Sequence, residues 1–439
     1  MKYSFARAAF WALSYILAAL LPLAVAYVGP AEARTFWIEV GVGLGFVGMS
    51  LMLLQFLFTG RYPQLAESFG SDSMLQYHRQ VGLVAMVFIL AHPAILFLTD
   101  PVYLEYLDPR VDWMRALALA AVIGALLLLV ATSLWRLTFR LAYEWWRAAH
   151  GVLALFIVFI GLVHILQVGY YVAEFWKQSF FVLGTASAVG LLVNTRVVRP
   201  WRMKRRPYEV LEVREERGDA WTLVLAPEGH GGMRFRPGQF AWITMNDTPF
   251  SLQQNPYSFS SSADDAPTRL EFTIKVEGDF SRSVSDVEPG QTAFLEGPFG
   301  FFVPNRQPDL GCVMIVGGVG VTPCMSMIRT FGARGDPRPL QLIYANVTLD
   351  GCIFYEELEE LQNDLHLDIV HVIENPPEGW DGERGLIDRE LLARYLPENR
   401  HGSEYFMCGP EPMMNIAETS LREMGIHWNR LLSERFDMV

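Results

Sequence analysis

The chain has 439 residues, 51% of them hydrophobic, and a formal net charge of −12. So apolar a composition argues against a wholly soluble protein, and an acidic chain without a basic stripe in its polar part argues against nucleic acid as a partner. Its four cysteines, Cys312, Cys324, Cys352 and Cys408, have no C-x-x-C spacing, which argues against a zinc site, an iron–sulfur cluster or a disulfide framework and fits a reducing compartment.

Long apolar runs are confined to residues before about 195. Stretches near 8–28, 36–58, 78–98, 114–135, 148–168 and 176–195 have the length a helix needs to cross a bilayer, and predict six spans. The first, after Lys2 and Arg7, outruns a signal peptide, lacks a convincing cleavage site and is read as a retained helix. Arg61, Arg136, Arg140 and Arg147 lie in the second and fourth connections, and Arg196, Arg199, Arg202, Lys204, Arg205 and Arg206 follow the last span. By the positive-inside rule these connections, both termini and the polar half face the cytoplasm, as in an integral membrane protein. The opposite connections carry Asp100, Glu105, Asp108, Asp112 and Glu174.

Four of the nine histidines fall in the membrane half: His78 and His92 in the third span, His150 and His164 in the fifth. Each pair is 14 residues apart. At about 100° per residue, both members share a helix face, roughly 21 Å apart along the axis. The two spans run in the same direction, so His78 should face His150 and His92 should face His164. A single intramembrane histidine is better read as an interhelical hydrogen-bonding group or a step in a proton path. Four at matched spacing instead predict two planes of paired imidazoles, the ligation of two b-type haems stacked across the bilayer. Pro93 offers a kink beside the second level, and Arg79 and Arg147 are candidate propionate partners.

From about 207 the pattern changes to short strands, 207–213, 220–226, 239–246, 256–261, 269–277 and 291–296, with turns at Pro237-Gly238 and Pro289-Gly290. They predict a small antiparallel barrel. Within it, Pro256, Tyr257, Ser258, Phe259 and Ser260 follow Asn255, and Gly278-Asp279-Phe280-Ser281 precedes a short helix. An aromatic ring and alternating hydroxyls suit a flavin and its ribityl chain, and Gly278 and Ser281 suit a pyrophosphate, although such alternation is common in any half-buried strand. From about 311, strands alternate with helices, predicting a doubly wound α/β domain. The strand ending at Val316 leads into Gly317-Gly318-Val319-Gly320-Val321-Thr322-Pro323 and a helix, a glycine-rich turn with Pro323 where G-x-G-x-x-G has its last glycine. A later strand ends in Cys408-Gly409-Pro410. Cys408 belongs at the carboxyl end of the sheet, where ligands bind, or else in the core.

Together these motifs resemble the NADPH oxidase and ferric reductase superfamily of bacterial type, and the polar half is similar to ferredoxin–NADP reductases. The resemblance implies three parts: 1–200 as a six-helix transmembrane di-haem domain, 201–305 as an FAD-binding β-barrel, and 306–439 as an NAD(P)H-binding α/β domain. It implies the four histidines as haem ligands, Tyr257 and Ser258 against the flavin, and Ser281 near its pyrophosphate. It also implies Gly318, Gly320 and Thr322 on the nicotinamide nucleotide, with Cys408 and Gly409 beside the nicotinamide, and Phe436 as the aromatic cover of the flavin ring. Three positions depart from the pattern. Asn255 stands where relatives have Arg or His, Val347 where many have an Arg for the 2′-phosphate of NADPH, and Leu96 where oxidases often have a further histidine. Val347 tilts the donor toward NADH unless Arg329, Arg334 or Arg384 substitutes. The implied activity carries electrons from NADPH or NADH through FAD and two b-type haems to oxygen, to ferric iron, or to a separate redox protein partner.

Overall fold

The computed structural model describes residues 5–29, 32, 34–62, 71–245, 248–305, 307 and 310–435. It divides into two compact units, Ser4–Arg199 and Pro200–Val439.

The first unit holds six helices, each long and apolar enough to cross a membrane. They are α1 (Phe5–Ala26), α2 (Phe36–Phe58), α3 (Ser71–Thr99), α4 (Pro109–Leu134), α5 (Tyr143–Val168) and α6 (Phe175–Val193). Three of them, α3, α4 and α5, begin well ahead of their apolar windows. Asp108 accepts from the Arg110 N–H and Pro109 stands at the first helical position, so α4 begins well ahead of residue 114. α3 begins at Ser71 and runs through Pro93 as one helix. After α6 the chain continues as a π-helical turn, Asn194–Val198, and the short α7 (Arg199–Met203), so Arg196, Arg199 and Arg202 are helical rather than a loose tail. The helices meet around Met49, Leu126, Ile157 and Val158, and Leu117, Val152 and Phe159 point outward, as suits lipid. α2 lies close on α3 because Gly41, Gly45 and Gly48 form one small-residue stripe. A Cβ on Gly48 would come within 2.8 Å of Ile89 Cγ1.

One end of this unit carries a closed polar network. The Glu39 carboxylate accepts from Tyr27 (2.5 Å), Tyr171 (2.5 and 2.6 Å) and the Arg34 N–H (2.7 Å). Buried Lys177 donates to the carbonyls of Ala26 and Tyr171 and pairs with Glu174 at 2.8 Å. Groups this costly to bury persist because each is satisfied, and they tie α1, α2 and α6 together.

The second unit begins with six antiparallel strands, β1 (Tyr208–Glu216), β2 (Ala220–Pro227), β3 (Phe240–Met245), β4 (Asn255–Ser258), β5 (Leu270–Lys275) and β6 (Thr292–Phe299), in the order β4-β3-β6-β1-β2-β5. A bridge between Phe259 and Phe272 brings the two ends together and curls the sheet into a barrel around Leu223, Leu225, Ile243 and Ile274. The predicted turns at Gly238 and Gly290 both have φ of +88°, the left-handed region glycine favours. A short helix, α8 (Asp279–Ser283), follows β5.

Next come β7 (Gly311–Gly317), α9 (Val321–Arg334), β8 (Leu340–Asn346), α10 (Tyr355–Asp364), β9 (Leu367–Ile373), β10 (Glu383–Arg384), α11 (Arg389–Tyr395), β11 (Ser403–Cys408), α12 (Glu411–Glu423) and β12 (Leu431–Glu434). All six strands are parallel, in the order β10-β9-β8-β7-β11-β12. Along β7, Cys312, Met314 and Val316 face one core and Val313 and Ile315 the other, the two-sided burial of a doubly wound sheet. Strand order reverses between β7 and β11, so the crevice outside their carboxyl ends is the ligand position of such folds.

Candidate cofactor sites

The predicted histidine pairing is present. The His78 and His150 rings lie 6.0 Å apart between centroids, and those of His92 and His164 6.3 Å apart. Two metal–imidazole bonds of about 2 Å each, plus the two ring radii, sum to roughly 6 Å, so each pair leaves room for one metal ion between its rings. Neighbours not singled out from the sequence orient the rings. His92 Nδ1 is 2.9 Å from the Gly41 carbonyl, and His150 Nδ1 is 3.2 Å from Ser133 Oγ. Gly45 makes room for the first contact, since a Cβ there would stand 2.9 Å from His92 Nδ1. Trp146 packs on His150 at 5.3 Å and Tyr106 meets His164 edge-on at 6.4 Å. Leu96 is buried against Gly41, so the place of the additional oxidase histidine is filled by packing. Arg79 is exposed, and Arg147 lies over the Tyr143 ring.

In the barrel, β4 pairs with β3, setting Tyr257 opposite Ala241 and Ser258 opposite Phe240. The Tyr257 ring stacks on Phe280 at 5.8 Å and 22°. Burial, then the nearby Glu277 carboxylate, pushes its hydroxyl above the ordinary tyrosine range, so it stays a neutral donor. Ser258 Oγ, Asn255 Nδ2 and, on β3, Thr244 Oγ1 are buried polar atoms without a hydrogen-bond partner among the described residues. Such orphans are costly and fit a ligand rich in donors and acceptors, as a flavin is. The motif's other residues turn inward. Phe259 stacks on Phe235 at 3.9 Å, and Ser260 accepts from Thr273 at 3.0 Å. The Ser281 hydroxyl accepts from the Glu277 and Gly278 N–H groups and donates to the Gly278 carbonyl, so it closes its own turn.

At the α/β crevice the loops after β7 and β11 pack backbone to backbone. A Cβ on Gly320 would overlap the Cys408 carbonyl, and one on Gly409 would stand 2.9 Å from the Gly317 nitrogen. Gly318 takes φ +55°, its carbonyl accepting from Tyr344 at 3.2 Å. Thr322 donates to the Val319 carbonyl at 2.8 Å and is nearly buried with Pro323 in the first turn of α9. Cys408 ends β11 fully buried, in one core with Val316 and Cys324, so its thiol lies beneath the crevice, and Pro410 caps α12. Phe436 lies outside the described residues.

Two of the arginines considered as substitutes for a 2′-phosphate ligand are committed elsewhere. Arg329 makes a two-pronged pair with Glu357 (2.7 and 2.6 Å) and also reaches the Ser260 carbonyl and Glu271. Arg334 grips Asp264, whose carboxyl it holds below the usual range. Arg384 donates to the Trp380 carbonyl.

The family pattern of the ferric reductase like transmembrane component matches residues 44–163, and that of the oxidoreductase NAD-binding domain matches 314–419. NADH-cytochrome b5 reductase 1 of Cryptococcus neoformans var. neoformans serotype D is 34% identical over 193 residues, 41% of this chain and 65% of that protein. The chain thus spans less than two thirds of that relative's length. The protein of the same name from Debaryomyces hansenii is 32% identical over 205 residues, covering 45% of this chain and 69% of that one. Among solved structures, the flavohem-like FAD/NAD binding domain of nitric oxide dioxygenase from Vibrio cholerae O1 biovar El Tor has a TM-score of 0.47 at 21% identity, over 52% of this chain and 98% of that one. The ferric reductase pattern falls on the helices that pair the histidines, and the NAD-binding pattern on the strands that build the crevice; the chain joins a ferric reductase like transmembrane component to an oxidoreductase NAD-binding domain.

Proposed function

We propose that the protein is a transmembrane oxidoreductase that moves electrons from cytoplasmic NADH, through FAD, to two b-type haems and on to a small acceptor, oxygen or ferric iron, on the opposite face. The observation that carries this reading is the pair of imidazole separations, 6.0 and 6.3 Å, on one helix pair at two levels. Side chains that merely packed together would have no reason to repeat a metal-sized gap 14 residues later.

When bound, a flavin would convert the two-electron chemistry of hydride into single-electron transfer, and haem held between the paired imidazoles would carry one electron at a time. The chain's own part is to bind and orient. The loop at Gly317–Gly320 and the start of α9 offer backbone N–H groups to the dinucleotide phosphates. Gly409 and the floor over Cys408 seat the nicotinamide, Tyr257 and Ser258 face the flavin, and His78/His150 then His92/His164 hold the haems in order of distance from the cytoplasm. Basic residues after α6 and in the second and fourth connections support that orientation. NADH is favoured over NADPH because exposed Val347 follows β8 and both Arg329 and Arg334 are held in ion pairs. The two curated relatives named above also carry NADH in their names.

The test is anaerobic stopped-flow absorbance of the full-length protein loaded with FAD and haem. NADH should reduce the haem bands faster than NADPH, and admitted oxygen or a ferric chelate should reoxidise them. His78→Ala and His92→Ala should each remove one haem of two. An unchanged haem content in both variants would refute the assignment.

A further inference from the structure

We propose that the two haem planes carry different built-in acceptors on their axial histidines, Ser133 Oγ for His150 and the Gly41 carbonyl for His92, and that these positioning groups set the redox potential of the centre each serves. The inference rests on the haem reading above.

The hydrogen positions follow from the contacts. Ser133 Oγ is 2.6 Å from the Leu129 carbonyl, so its single hydrogen is spent there. Its contact with His150 Nδ1 then requires the ring N–H to donate. The Gly41 carbonyl has no hydrogen, so His92 Nδ1 also donates. In both rings the proton sits on Nδ1, leaving the Nε2 lone pair for a metal. His78 is built differently, its Nδ1 buried with no hydrogen-bond partner among the described residues. The acceptors come from helices that carry no ligand, α4 for the first level and α2 for the second. An acceptor on the far nitrogen makes an imidazole a stronger donor to the metal, which favours the oxidised ion and lowers its potential. The two levels use acceptors of different strength, a hydroxyl at 3.2 Å and a carbonyl at 2.9 Å. Gly45 is part of the second device, because any side chain there meets the His92 ring.

The experiment is a potentiometric titration of the full-length haem-loaded protein, followed optically, with low-temperature EPR of the oxidised form. Ser133→Ala should keep two haems, raise the potential of one component and alter one low-spin signal. Ser133→Thr, which keeps the hydroxyl, should restore both. Loss of that one haem in Ser133→Ala, restored by Thr, supports the same role. Gly45→Ala should move or remove the other component and spare the one sensitive to Ser133. If Ser133→Ala binds two haems with both potentials and both signals unchanged, the acceptor role is overturned while the haem reading stands. If the wild-type protein binds no haem, the reading fails and takes this inference with it.

Discussion

Replacing Arg329 with Met tests whether the flavin barrel and the nucleotide sheet are held as one unit by a buried ion cluster. The side chain is 14% exposed and reaches from α9 to Glu357, Glu271 and the Ser260 carbonyl, two residues beyond Ser258. Burial alone would disfavour the guanidinium charge, but Glu357 and Glu271 outweigh it, so Arg329 is charged at every accessible pH. Removing one partner of a fully buried pair costs about 3–5 kcal/mol. Here Glu271 keeps Arg269 at 2.8 Å and Arg214 at 3.6 Å, and Glu357 is 39% exposed and regains water. The cost should therefore fall to about 2–3 kcal/mol. For a unit of this size that is roughly 4–12 °C in melting midpoint. Flavin-fluorescence melting of the detergent-solubilised full-length protein reads it directly. Glu357→Gln, which keeps a neutral acceptor, should cost about 1 kcal/mol. A midpoint for Arg329→Met within about 1 °C of wild type would mean that the cluster is a solvated surface feature and that the barrel holds its flavin strand unaided.

Two further outcomes follow from the second unit. Gly320→Ala drives a Cβ into the Cys408 carbonyl, where both neighbours are backbone. At about 1–3 kcal/mol for overpacking, the KM for NADH with ferricyanide as acceptor should rise roughly tenfold while flavin content is kept; an unchanged KM would mean that the two loops need not meet. His371, buried between Tyr344 and Tyr355 and near Glu359, is held below the ordinary histidine range by burial, with Glu359 partly opposing. The unfolded chain takes up a proton near pH 6.5 that the folded chain resists, so this contribution to stability is complete above that pH and is lost as pH falls below it. His371→Phe should flatten the fall in melting midpoint between pH 7.5 and 5.5, and parallel curves for the two proteins would contradict the assignment.

The histidine levels were legible because helical spacing is arithmetic: 14 residues bring a side chain back to one face whatever surrounds it. The strand order of the barrel was not, because β4-β3-β6-β1-β2-β5 depends on which distant strands pair, as Phe259 does with Phe272, and local alternation is silent on that. Ser281 shows the same limit at one residue. Its place at a helix start pointed to an anion, yet three hydrogen bonds within its own turn take the hydroxyl, a competition that sequence spacing does not reveal. Ser133 and Gly41 were invisible for the opposite reason, since each lies far along the chain from the histidine it orients. The only available signal was the Gly41, Gly45, Gly48 stripe in the second span, a close-packing pattern that carries no chemistry until α3 is placed against it.

Where polar groups are left without partners is informative when set beside where they are not. Tyr171, Lys177 and the Thr222–Thr273–Ser260 chain are buried and each makes hydrogen bonds inside the protein, Tyr171 to half-buried Glu39. Among the described residues several buried polar atoms have no partner, Gln55 on α2 and Gln341 Oε1 on β8 included, and four of them, His78 Nδ1, Ser258 Oγ, Thr244 Oγ1 and Asn255 Nδ2, lie at the metal-sized gap and on the paired strands of the predicted flavin motif. An unmet buried polar group costs about 1–3 kcal/mol, so selection for stability alone would have replaced these four with apolar residues. Their retention argues that the folded state is completed by what binds there. Ligands that bind only the folded state stabilise it by mass action, so the melting midpoint of each unit should rise with its own cofactor, haem for the helical unit and FAD for the barrel.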